Sequence, residues 1–192
     1  MLYEIIFLGR GGQGGVTASN ILVQAAIYED KYGQSFPFFG AERRGAPVTA
    51  YARISDKPIL KHGMFNEADI LIILDDTLLK LGVTKRYTIR SNGFLVVNTS
   101  ISNIQLDHIS SRGEFKIYGV NATKIARELG LIVAGWPLVN TPMLGALSRS
   151  SGLVSIESIE KAVTEYFGLR LGGKNIEAIR RAYKETELIK GD

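Results

Sequence analysis

The sequence predicts an α/β fold: a Rossmann-like, largely parallel sheet with helices on both faces, built by one domain of residues 1–192. Two observations lead there. Short apolar runs at 5–8, 70–74 and 94–97 recur between stretches with helical spacing, and unbroken apolar runs suit strands buried on both faces of a parallel sheet. The first run leads into Gly9-Arg10-Gly11-Gly12-Gln13-Gly14-Gly15, five glycines in seven positions, and from there into a helical pattern at 16–28. Strand, glycine turn and helix in that order gather backbone N–H groups at a helix N-terminus, which is an anion site.

In chain order, residues 3–8 read as a strand and 16–28 as a helix with Ile21, Leu22, Ala25 and Ala26 on one face. Residues 29–47 hold Gly33, Pro37, Gly40, Gly45 and Pro47, so a long irregular loop is expected there. Its phenylalanines, Phe36, Phe38 and Phe39, argue against disorder. Strands are expected at 48–54, 70–74, 94–97 and 115–118. Short helices are expected near 77–81, 121–129 and 141–150, the last with Thr141 as cap and Pro142 at the first helical position. Two further helices follow: Ile156, Ile159, Val163 and Phe167 stripe one, and Ile176, Ile179 and Tyr183 the other. Gly172-Gly173 is the expected break between them, and Glu177 and Arg181 are spaced for an i,i+4 pair.

Composition narrows the chemistry. The 192 residues are 45% hydrophobic and 22% charged, ordinary for a globular protein with a sizeable core. No apolar run is long enough to span a bilayer and no signal-peptide pattern opens the chain, so a cytoplasmic location without membrane contact is expected. The absence of cysteine excludes disulfides, thiolate-held clusters and a cysteine nucleophile. His62 and His108 are the only histidines and read as surface residues, so no metal site and no catalytic residue is expected. The net charge is +4 with a pI of about 9.3. The charges are dispersed apart from Arg43-Arg44 and Arg180-Arg181, and no recognition motif accompanies them, so nucleic acid is not an expected partner.

The glycine loop is weighed against three readings. Gly9, Gly11 and Gly14 satisfy G-x-G-x-x-G, but a dinucleotide site also wants an acidic residue about 20 residues on, at the end of the second strand. Glu29 and Asp30 come too early for that. A Walker A loop would need lysine after Gly14, where Gly15 stands. A tight turn with close helix–sheet packing requires fewer glycines than are present. A phosphate-bearing guest at Gly11, Gly12, Gln13 and Gly14 is the reading the loop supports. The segment at 36–48 adds Glu42, Arg43 and Arg44 between glycines and aromatics, a compact charged block suited to phosphate or carboxylate.

With those two blocks together, Gly9 to Gly14 and Phe39-Gly40-Ala41-Glu42-Arg43-Arg44-Gly45-Ala46-Pro47-Val48, the chain resembles the gamma subunits of 2-oxoacid:ferredoxin oxidoreductases. The resemblance continues through Asp69-Ile70, Leu74-Asp75, Asn98-Thr99, residues 140–146 and the C-terminal helices. It implies a complex that decarboxylates a 2-oxoacid oxidatively, passes the acyl group to coenzyme A and reduces ferredoxin. The Phe-Gly-Ala-Glu block favours pyruvate, with 2-oxoisovalerate as the alternative. The resemblance also implies alpha-, beta- and delta-type partner subunits, contact with ferredoxin through the complex, and thiamine diphosphate, magnesium and iron–sulfur clusters held by those partners. For this chain it leaves docking and coenzyme A, with Gly11, Gly12, Gln13, Gly14, Arg43 and Arg44 as candidate cofactor-binding residues and no activity in isolation. Two other accounts stay open: a free-standing Rossmann-type dinucleotide-binding protein, and a scaffold subunit whose blocks only hold an interface.

Several remaining polar residues have simpler readings. Asp75 and Asp76 at a strand end read as caps of the helix at Thr77. Asn98, Thr99 and Ser100 lie at the equivalent edge of the next strand. Trp136 beside Pro137 reads as packing at an interface or a core edge.

Overall fold

A computed structural model describes residues 1–38, 45–100, 104 and 108–191, with Leu169 described by its backbone alone. The elements run β1 (Leu2–Arg10), α1 (Gly15–Ile27), β2 (Tyr32–Phe38), β3 (Pro47–Ser55), β4 (Glu67–Ile73) and α2 (Thr77–Lys80). A 3-10 turn (Val83–Arg86) leads to β5 (Thr88–Asn98), β6 (Ser110–Ser111), β7 (Phe115–Val120) and α3 (Ala122–Glu128). The small hairpin β8 (Ile132–Val133) and β9 (Trp136–Pro137) follows, then α4 (Asn140–Ser151), α5 (Ile156–Glu185) and β10 (Glu187–Lys190).

The main sheet is ordered β10-β7-β5-β4-β1-β3-β2, with β6 beside β5. Strands β1, β4, β5 and β7 are parallel to one another; β2, β3 and β10 join antiparallel. The unbroken apolar runs of β1 and β4 are explained by burial on both faces. Ile5, Phe7, Ile70, Ile72 and Leu74 face the helical layer of α1, α3, α4 and α5. Ile6, Leu8, Leu71 and Ile73 alternate to the other face, where Leu78 and Leu79 of α2 and Tyr87 join them in a second core cluster. Helices therefore lie on both faces, but among the described residues four of the five α-helices share one.

Four expectations are corrected. Residues 32–38, expected as loop, form β2, paired with β3 from Tyr32↔Ser55 to Phe38↔Thr49. As an edge strand it accommodates Pro37, and Phe36 stacks on Tyr51 at 5.1 Å between ring centres. The helix expected from Thr141 starts one residue earlier, with Val139 at its cap. Thr141 is buried, and its hydroxyl donates to Asn175 Oδ1 at 2.8 Å. The helical break lies at Gly168 (φ 72°, ψ 168°), a glycine-only backbone region, and not at Gly172-Gly173. Arg181 pairs with Glu185 and Glu128, not with Glu177.

The end of the sheet away from the glycine loop is fixed by buried charge. Glu4 accepts from Arg53 Nε at 2.8 Å and also pairs with Arg90, which reaches Asp69 at 2.8 Å. Arg53 donates to the carbonyls of Lys61 and Gly63 and lies over the Phe65 ring. Burial raises the Glu4 carboxyl, and the hydrogen bonds from Arg90 and Arg53 outweigh it, leaving the carboxyl below its ordinary value.

Candidate functional site

The carboxyl ends of the parallel strands meet at one edge of the sheet, where open α/β folds bind ligands. The glycine loop tops β1, Leu74-Asp75-Asp76 tops β4, Asn98 ends β5, and Asn121 stands between β7 and α3.

Within the loop, Gly12 (φ 99°) and Gly14 (φ 81°) take left-handed conformations that other residues resist. Part of the loop holds itself together. Gly11 N–H donates to Ala46 O at 2.9 Å, and Gly45 N–H returns to Gly11 O at 3.3 Å, tying the loop to the start of β3. Gln13 is buried; its N–H bonds Arg10 O, its Oε1 accepts from Arg10 N–H at 2.7 Å, and its Nε2 donates to Asp75. Gly11 and Gln13 therefore shape the turn. No described residue accepts from the amides of Gly12 and Gly14. Gly14 is also the N-cap of α1 and offers no side chain, so the first-turn amides of Gly15, Val16 and Thr17 have no intrahelical acceptor. Arg43 and Arg44 lie outside the described residues.

Arg10 is the clamp of this arrangement. Its guanidinium donates to Asp75 Oδ2 at 2.8 Å, Thr77 Oγ1 at 2.8 Å and Gly45 O at 3.0 Å. Asp75 also takes the N–H and hydroxyl of Thr77 on Oδ1, whereas Asp76, the N-cap of α2, makes no side-chain cap bond, so of the two expected caps only Asp75 reaches the helix start. Burial raises the Asp75 carboxyl; the hydrogen bonds from Thr77 and Arg10 prevail and hold it below the usual carboxylate range. Asp75 ends the strand parallel and adjacent to β1, which is where a dinucleotide fold places its ribose acid. The linear sequence hid this, because β2 and β3 intervene before β4. Both Asp75 oxygens are nonetheless already occupied, by Arg10 and Gln13 on one side and Thr77 on the other.

Two clefts flank the loop. One, of about 560 Å³, runs along the strand ends past Asp75, Asp76, Asn98, Thr123, Lys124 and Trp136. There Asp76 accepts from the Thr99 hydroxyl, and Asn98 bridges Leu74 O to Thr123. Trp136 is half-exposed on its hairpin at the rim. The other, of about 380 Å³, lies between the glycine loop and the start of α4, with Phe167 and Leu138 as apolar wall. The Gly168 break immediately follows Phe167. Asn140, which no motif marked as a ligand residue, lines this second cleft. His62 is exposed beside Gln34, and His108 is half-buried. Among the described residues no group of His, Asp and Glu could hold a metal ion, and no helix is long and apolar enough to cross a membrane.

The family model described as "Pyruvate ferredoxin/flavodoxin oxidoreductase" matches residues 4–185. The chain belongs to this family. Among its relatives, the "Pyruvate/ketoisovalerate oxidoreductases common subunit gamma" of Pyrococcus furiosus is 45% identical over 188 residues, covering 98% of this chain and 99% of that one. The "Pyruvate synthase subunit PorC" of Methanocaldococcus jannaschii is 45% identical over 184 residues, 96% of this chain and 97% of that one. The crystal structure of the pyruvate oxidoreductase subunit PORC of Thermotoga maritima superposes with a TM-score of 0.80 at 34% identity. It covers 98% of this chain and 99% of that one. These near-complete coverages place the glycine loop and both clefts within the part shared across the oxidoreductase family.

Proposed function

We propose that this chain is the gamma subunit of a pyruvate:ferredoxin oxidoreductase, forming one folding unit that docks on alpha-, beta- and delta-type subunits. The complex would decarboxylate pyruvate, transfer the acetyl group to coenzyme A and reduce ferredoxin. The carrying observation is the end-to-end match to gamma and PorC subunits. The site supports a binding role. Coenzyme A is anionic, and the amides of Gly12 and Gly14 with the first turn of α1 offer donors to phosphate oxygens. Gly11 and Gln13 keep the turn in shape, and Arg43 and Arg44 supply positive charge from the segment that precedes Gly45. A sequence without cysteine does not fit an iron–sulfur cluster, and the described residues show no metal-binding group. Thiamine diphosphate with its magnesium, and the clusters, are accordingly assigned to partner subunits.

The Pyrococcus furiosus relative is named as common to pyruvate and ketoisovalerate oxidoreductases, so 2-oxoisovalerate is retained as a second substrate of complexes containing this chain. A free-standing dinucleotide protein is disfavoured by the occupied Asp75 carboxylate. Reconstitution tests the proposal. Partner subunits with this chain should reduce ferredoxin on adding pyruvate and coenzyme A, and neither part should do so alone. Isolation of the chain as an active NAD-dependent enzyme, without partners, would refute it.

A further inference from the structure

Between α3 and α4 the chain runs Leu131-Ile132-Val133-Ala134-Gly135-Trp136-Pro137-Leu138-Val139, without one polar side chain. The base of this segment is anchored. Leu131 and Val139 are buried, Leu138 packs against the main core, and its N–H donates to Leu131 O at 2.8 Å. The tip is not anchored in the core. Among the described residues β8 and β9 pair only with each other, Ile132 with Pro137 and Val133 with Trp136. Every residue from Ile132 to Trp136 is exposed: Ile132 is 48%, Val133 58% and Trp136 38% accessible. Ala134 (φ 49°) and Gly135 (φ 83°) are both left-handed, the backbone of a tight two-residue hairpin turn, which alanine adopts only at a cost. A two-stranded hairpin that keeps its side chains in water is marginal by itself. Contiguous exposed apolar side chains, with a tryptophan among them, mark a contact surface.

The charges around the tip identify what covers it. Lys124 and Arg127 of α3 are exposed and line the larger cleft together with Trp136. Lys174 of α5 is exposed beside the base of the hairpin: a Cβ at Gly130 would stand 3.5 Å from its Nζ. Among the described residues Arg127 and Lys174 make no ion pair, whereas the nearby acids are engaged. Glu128 pairs with Arg181 at 2.8 Å and more loosely with Lys124 at 4.0 Å, Asp75 pairs with Arg10, and Asp76 accepts from Thr99. A symmetric contact between two copies would gather the same cations from both sides around one patch. A partner with carboxylates around an apolar pocket meets them with opposite charge. We infer that the hairpin tip docks into an apolar, carboxylate-rimmed pocket on a partner subunit of the oxidoreductase. Ile132, Val133 and Trp136 are the buried anchors of that contact, and Lys124, Arg127 and Lys174 its rim. The inference rests on the gamma-subunit reading. Because Trp136, Lys124 and Arg127 also line the larger cleft, the same partner roofs that cleft and makes it part of the interface.

The test is reconstitution from purified subunits, with assembly followed by sedimentation velocity and affinity by titrating this chain onto its partner subunits. Val133→Asp sets a charge on an anchor and is expected to weaken assembly by at least about a hundredfold. Trp136→Ala should weaken it by about thirtyfold. Both positions are exposed, so the isolated variants should melt close to the wild-type temperature. Arg127→Glu, on α3 and outside the hairpin, should weaken assembly by about tenfold, with a loss that shrinks at high salt. Leu60→Asp, between β3 and β4 at a position 87% exposed, is the control and should assemble within about twofold of wild type. Wild-type affinity in Val133→Asp would overturn the inference and leave the gamma-subunit reading intact, whereas failure of the wild-type chain to join these subunits would overturn both. Unchanged affinity in Arg127→Glu would refute the carboxylate rim and with it the choice of partner. A dimer of the isolated chain that Val133→Asp dissolves would assign the tip to a second copy. Binding to vesicles of phosphatidylglycerol and phosphatidylcholine that the same variant abolishes would assign it to a lipid surface. Equal weakening by Leu60→Asp would show a general sensitivity to added charge. Each of these three results would likewise overturn the inference.

Discussion

Arg10 shows how a residue's chemistry depends on what surrounds it. A lone arginine among glycines invites a phosphate, yet three of its five N–H groups are directed to Asp75, Thr77 and Gly45. On the function proposed above the anion meets main-chain amides, and the bond from this side chain to Gly45 O helps to hold the turn that carries them. The glycine spacing made the turn legible in the sequence. The internal satisfaction of Gln13 was not legible, because it depends on a partner more than 60 residues away in the chain. Glu29 illustrates the same limit. Read only as a failed ribose anchor, it in fact accepts from the Ser155 N–H and hydroxyl at 2.7 Å each and from Lys31 at 2.8 Å, joining the end of α1 to the start of α5. Burial raises its carboxyl; the bonds from Lys31, Ser155 and Ser158 overcome that and lower it to about 2. Its folded value lies below its unfolded one, so its stabilisation is full above pH about 4.5 and is lost as pH falls toward 2. Glu29→Gln should lower stability by about 1–2 kcal/mol at pH 7, and the difference from wild type should shrink in denaturant melts at pH 3. An equal deficit at both pH values would contradict the ion-pair account.

Among the elements, buried strands were legible and edge strands were not. β1 and β4 carry apolar residues on successive positions because both faces are covered. β2 is half-exposed along most of its length and contains glycine and proline, so its sequence has no strand period to read. Only its pairing with β3 makes it a strand. The C-terminal strand β10 is four residues long and carries no signal of its own. In α5 the glycine pair at 172–173 was the natural break on composition, but helices tolerate glycine at a cost of about 1 kcal/mol each. A backbone angle forbidden to other residues, as at Gly168, is what interrupts the helix. Opposite outcomes are therefore expected for two similar substitutions. Gly168→Ala should cost about 1–3 kcal/mol. Gly173→Ala, whose new Cβ would meet nothing within 4 Å, should stabilise by about 0.5–1 kcal/mol. Thermal melts of the two variants distinguish them, and a destabilised Gly173→Ala would show that the break had been misplaced.

At the scale of the molecule, the fold divides labour between the two ends of its sheet. One end carries the buried Glu4, Arg53, Arg90 and Asp69 network; the other carries the glycine loop and two clefts at the strand ends. Among the described residues no group of His, Asp and Glu could hold a metal ion, and on the function proposed above the substrate's carbon–carbon bond is broken on partner subunits. Coenzyme A enters the overall reaction as acyl acceptor, whichever 2-oxoacid supplied the acyl group. A chain that serves that transfer alone should govern the dependence on coenzyme A and remain indifferent to the acid. Gly12→Ala in the assembled complex keeps the N–H but opposes the left-handed φ of 99° that aims it, and is accordingly expected to raise the KM for coenzyme A by about tenfold. The ratio of kcat/KM for pyruvate to that for 2-oxoisovalerate, measured at saturating coenzyme A, should stay within about twofold, since no differential contact with either acid has been altered. A ratio displaced severalfold by that change would place the glycine loop at the 2-oxoacid rather than at the acceptor, and the division of labour argued from the two ends of the sheet would have to be redrawn.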